Sequence, residues 1–82
     1  MQDLILMGPG VTPDIVCDAA DAAGAAEVRT RAGAVRFSGL SPMALRSLQK
    51  QFGEFDGIDA VAVPADLSVK AFKVLALSLI HI

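Results

Sequence analysis

Few side chains in this chain are suited to chemistry. His81 is the single histidine and Cys17 the single cysteine. A metal or a general base would want His81 beside acids or thiols at ligand spacing, and none stands near it. Cys17 has Asp14 three residues before it and Asp18 beside it. Adjacent acids disfavour a thiolate, so Cys17 reads as a small packing residue. The segment Gly8-Pro9-Gly10-Val11-Thr12 carries more promise, because it leads from an apolar run into a helix start. Free backbone N–H groups at such a point favour an anion such as a carboxylate. Gly8, Gly10 and Thr12 are therefore the candidate ligand contacts. The alternative is a tight turn whose glycines serve geometry alone. The segment lacks the glycine-lysine-hydroxyl ending of a phosphate-binding P-loop, so a nucleotide is not expected. Arg29, Arg31 and Arg36 form a modest basic edge, which reads as a solvated face that keeps strand edges from pairing. No catalytic, metal-ligating or cofactor-binding set stands out.

The elements that must position these residues follow from patterning. Leu4-Ile5-Leu6-Met7 is a short, continuous apolar run closed by Gly8-Pro9-Gly10, as in a strand buried on both faces. Thr12-Pro13-Asp14 supplies a hydroxyl cap, a proline at the first helical position and an acid at the positive end of the helix dipole. Ile15, Val16, Ala19 and Ala23 share one stripe of that helix, and Gly24 is its stop. Ala26, Val28 and Thr30 alternate with Glu27, Arg29 and Arg31, the period of a half-exposed strand. Ala32-Gly33 turns the chain into Val35 and Phe37, which alternate with Arg36 and Ser38. Ser41-Pro42 repeats the cap-plus-proline opening. Leu45, Leu48 and Phe52 follow at helical spacing until Gly53. Residues 54–57 form a loop, and Ile58 to Val63 a last strand before Pro64.

Strand, helix, strand, strand, helix, strand is the split βαβ pattern of an α+β, ferredoxin-like βαββαβ sandwich. It predicts a four-stranded antiparallel sheet, with the first and third strands central and two helices on one face. The other face has no cover within residues 1–64. A second copy or another domain is expected to lie on this open sheet face. Residues 65–73 read as a linker. Val74-Leu75-Ala76-Leu77 then reads as an orphan strand with no sheet of its own, and 74–82 as that strand plus an aberrant tail.

Composition limits the function classes. Among 82 residues, 54% are hydrophobic but only 5% aromatic, and fourteen are alanine. The core is therefore thin, and a deep two-lobed cleft is excluded. Seven basic against nine acidic residues give a net charge of −2, which argues against a nucleic-acid surface. No apolar run reaches the length of a membrane span. One cysteine and no basic leader leave a cytoplasmic chain as the expectation.

The phrase Ala65-Asp66-Leu67-Ser68-Val69-Lys70-Ala71-Phe72-Lys73-Val74-Leu75-Ala76-Leu77 resembles the segment that leads into the catalytic domain of bacterial phosphoserine phosphatases of the haloacid dehalogenase superfamily. The resemblance spans Met1 to Leu77 and implies that residues 1–64 are the ACT-like regulatory domain that precedes catalysis in that family. The family's next residues would be Asp-x-Asp-Ser-Thr. There the first aspartate attacks the phosphoryl group and the second moves the proton, both beside a magnesium ion. Ser78 and Ile80 stand at those two positions, so the chain itself is expected to be inactive, with magnesium belonging to the full-length enzyme. The sequence departs abruptly from the family after Leu77, and the tail reads as the end of an interrupted gene product.

The resemblance thus implies a regulatory and dimerising domain of an enzyme that releases phosphate from O-phospho-serine in serine biosynthesis. Its partners would be a second copy or its own catalytic domain, with an amino acid as effector near Gly8, Gly10 and Thr12. The alternative is a stand-alone ferredoxin-like module that binds another protein and no ligand. Other uses of this topology fit less well. An acylphosphatase needs an arginine in the first strand–helix loop, and a metal carrier needs paired cysteines there. An RNA-recognition domain needs aromatics on the central strands, and only Phe37 meets that.

Overall fold

A computed structural model describes residues 2–24, 27–31 and 33–80, with residues 75–80 given as helix only. Ala26 and Ala32 of the expected hairpin lie outside the described residues, as do His81 and Ile82 of the expected tail. The elements run β1 (Gln2–Met7), α1 (Pro13–Ala23), β2 (Glu27–Arg31), β3 (Ala34–Ser38), α2 (Pro42–Gly53), β4 (Asp59–Pro64) and α3 (Ala65–Ile80). The protein is thus α+β, with one four-stranded antiparallel sheet and three helices.

Both early helices begin as their sequences dictate. The Thr12 hydroxyl accepts from the Ile15 N–H at 3.3 Å, and the Ser41 hydroxyl from the Ala44 N–H at 3.2 Å. Each satisfies one donor that the first helical turn leaves open. Gly24 closes α1 in the left-handed conformation, at φ 56°.

The strand order is β2-β3-β1-β4, so the most apolar strand, β1, sits between β3 and β4. Leu4 lies opposite Phe37 on one side and Ala62 on the other, and Ile5 opposite Arg36 and Val61. Because side chains alternate along a strand, these two rows face opposite ways. Leu4, Leu6, Val35 and Phe37 form the main core with Ala19 of α1 and Leu45, Leu48 and Phe52 of α2. Ile5 and Ala34 form a second, smaller core with Phe72 of α3.

That second core corrects the expectation for the end of the chain. Residues 65–77 are not a linker followed by a strand but the body of α3, which lies on the face left open by α1 and α2. The physical reason lies in spacing. Ser68, Ala71 and Phe72 fall at i, i+3 and i+4, so they share one helical face. Ser68 and Phe72 are buried, while Lys70 and Lys73 are exposed. A polar Ser68 in the buried row disguised the period, and a four-residue apolar run is compatible with either helix or strand. The last strand also begins one residue later than expected, at Asp59, with Ile58 buried in the turn before it.

Arg36 needs a second correction. Instead of lying on a solvated edge it is 8% exposed, underneath α3. A face that carries a helix cannot leave its central cation in water.

Candidate functional site

The β1–α1 loop is built backbone against backbone. The Gly10 N–H donates to the Gly57 carbonyl at 2.9 Å, the Gly8 N–H to the Gly33 carbonyl at 3.3 Å, and the Val11 N–H to the Gly8 carbonyl at 3.1 Å. A Cβ on Gly10 would lie 2.6 Å from the Asp56 carbonyl oxygen. The amide groups of Gly8 and Gly10 are therefore engaged in joining this loop to the α2–β4 loop and the β2–β3 turn. Their glycines meet a geometric demand that any side chain would violate.

Thr12 is placed differently. It borders a groove of about 560 Å³ between the start of α1 and the end of the β2–β3 hairpin. Val11, Val16 and Cys17 line one wall, Thr30 and Arg31 the other. The Thr12 oxygen accepts from Ile15, which leaves its proton available to a ligand. Arg31 forms no ion pair among the described residues. The groove therefore offers one hydroxyl donor and an apolar wall with Arg31 at its border, a set suited to a small carboxylate. Cys17 is exposed at the mouth of this groove and is not the packing residue expected from the sequence.

No family model, curated protein or solved structure matches the chain. Its chemistry must be read from its own side chains.

The three arginines of the hairpin lie on one sheet face but differ in their partners. The Arg29 Nε donates to Glu27 Oε1 at 2.6 Å. That hydrogen bond, with the charge of Arg29 and a smaller contribution from Arg36, holds the Glu27 carboxyl below the usual carboxylate range. Arg31 lies opposite Ala34 at the end of the hairpin and borders the groove there. Arg36 donates through Nη1 to Asp3 Oδ2 at 3.1 Å and to Ser68 Oγ at 3.1 Å. The Ser68 hydroxyl donates in turn to Asp3 Oδ2. Asp3, Arg36 and Ser68 are all buried, and no buried side-chain nitrogen or oxygen among the described residues lacks a partner.

An acid beside a serine is the arrangement of a base and a nucleophile. Here it cannot work as one. Ser68 is fully buried on the sheet-facing side of α3, and the carboxylate that would take its proton is the counterion of Arg36. The triad fastens α3 to β1 and β3. Sequence reasoning missed it, although Asp3 at the edge of an apolar strand was a signal that some partner must exist. Nothing in the spacing pointed to residues 36 and 68.

The positions where the resemblance puts the two catalytic aspartates, Ser78 and Ile80, fall in the last turns of α3. Neither residue type is a carboxylate, so a magnesium ion finds no fit there and no step is derived through it. Among the described residues no three His, Cys, Asp or Glu side chains converge on a metal-sized position. No helix of the described residues is long and apolar enough to cross a membrane.

Proposed function

We propose that the chain is a regulatory and dimerising domain of the ferredoxin-like, ACT-like type, serving a cytoplasmic phosphoserine phosphatase of the haloacid dehalogenase superfamily. The parent reaction is hydrolysis of O-phospho-serine to serine and phosphate, the last step of serine biosynthesis. The hydrolysis and its magnesium belong to the catalytic domain, and the chain itself contributes binding. The observation that carries this reading is the groove at the start of α1, where Thr12 and Arg31 border a small polar and apolar space. The βαββαβ order of the first six elements and the sheet order β2-β3-β1-β4 support it. An amino-acid effector would set its carboxylate on Arg31 and accept the Thr12 hydroxyl proton. The glycines Gly8 and Gly10 hold that loop in place without touching the effector.

Because α3 lies on the sheet, pairing with a second copy or with the catalytic domain runs over α3. Its outward residues Leu67, Val69 and Val74 are each at least half exposed. Those same residues favour the second reading, a module that binds only protein.

Calorimetric titration separates the two. L-serine is expected to give a saturable heat on the chain, lost in Arg31→Ala. No heat with L-serine would leave the protein-binding module as the better account.

A further inference from the structure

A second concave site lies on the other side of the hairpin. A cleft of about 510 Å³ opens between β2 and α3. Four of the chain's seven basic side chains line it, Arg29, Arg31 and Arg36 from the hairpin and Lys73 from α3. Val69 and Phe72 make its apolar wall. The carboxylates that answer these cations are Glu27, which also lines the cleft, and Asp3, which holds Arg36 from behind. Two positive charges are left uncompensated, in a chain whose net charge is −2.

The cations are also arranged for use. Nη1 of Arg36 is spent on Asp3 and Ser68. Its Nη2 stands 3.8 Å from Glu27, beyond hydrogen-bond length, and has no hydrogen-bond partner among the described residues. Arg36 is thus held rigid from below with one end unspent, so presenting it costs little further ordering. Lys73 forms no ion pair among the described residues.

We infer that this cleft binds a small phosphate monoester, its phosphoryl group on the arginine and lysine cations and its organic part on Val69 and Phe72. Two uncompensated charges match a phosphoryl dianion, whereas a single carboxylate would leave one unanswered. Guanidinium groups bind phosphoryl oxygens through paired N–H donors, which a point charge cannot do. A long polyanion fits poorly, since the rest of this surface is acidic on balance. The cleft and the effector groove are lined by different residues except Thr30 and Arg31, which border both.

The test is a titration of the full chain with phenyl phosphate and with inorganic phosphate, at low ionic strength and slightly above neutral pH. Both are expected to saturate, with phenyl phosphate about tenfold tighter because its ring covers the apolar wall. Lys73→Glu should weaken phenyl phosphate at least about tenfold. Lys70→Glu makes the same charge change on α3 outside the cleft, and should alter binding by no more than about twofold. Both lysines are exposed, so neither variant threatens the fold. Failure to saturate, acetate binding as tightly as phosphate, or equal losses in the two variants would each overturn the proposal.

Discussion

Asp3→Ala is expected to destabilise the protein by about 3–5 kcal/mol, because it leaves the Arg36 guanidinium buried without its counterion. A chain of this length has a total stability on the order of 4–12 kcal/mol, so the variant loses a large share of it. The loss falls on two contacts at once. Arg36 keeps only the Ser68 oxygen and a carboxylate 3.8 Å away, and Ser68 loses the acceptor of its proton. Ser68→Ala should cost less, about 1–2 kcal/mol, since Asp3 and Arg36 still face each other. Replacing Asp3 and Arg36 together by leucine should recover most of the loss, because no buried charge then remains. Urea denaturation measures all three. A cost below about 1 kcal/mol for Asp3→Ala would mean that the pair is solvated and that α3 is not seated on the sheet.

Gly8→Ala is expected to cost about 3 kcal/mol or more, for two reasons that add. At φ 123° the backbone of Gly8 is in a region that side chains do not tolerate. A Cβ built there would lie 2.1 Å from the Gly57 carbonyl oxygen. That oxygen is the acceptor for Gly10, so neither backbone can retreat without breaking the junction of the two loops. Gly24→Ala provides the comparison. Its φ of 56° is also left-handed, but the space around it is open, and the cost should be only about 1 kcal/mol. Denaturation midpoints of the two variants check the difference. Equal midpoints would show that the loop is not packed against Gly57. Unchanged stability with lost effector binding would return Gly8 to the role of a ligand contact.

What could be read in advance was local. The caps at Thr12 and Ser41, the alternation through β2 and β3, and the apolar run of β1 each state their element within a few residues, because backbone satisfaction and side-chain alternation act over short range. Gly8, Gly10 and Thr12 were legible as a special segment, but their division of labour was not. That division depends on Gly57, some fifty residues away, and on a groove wall supplied by Arg31. The third helix was the main loss. Its buried row opens with Ser68, a polar residue whose burial makes sense only beside Asp3 and Arg36. A contact joining residues 3, 36 and 68 leaves no period in the sequence, and without it the apolar end of the chain looked like a strand seeking a sheet. Arg36 was misplaced for the same reason, since its exposure depends on whether a helix covers the face.

On the proposed function, the groove between α1 and the hairpin receives an amino acid. Amide-resolved titration with L-serine tests this most directly, because it reports where binding occurs as well as whether it does. Saturable shifts centred on Thr12, Val16, Thr30 and Arg31 are expected. The absence of any saturable shift up to about 10 mM, equivalent to roughly 3 kcal/mol of binding, or shifts confined to another surface, would contradict it.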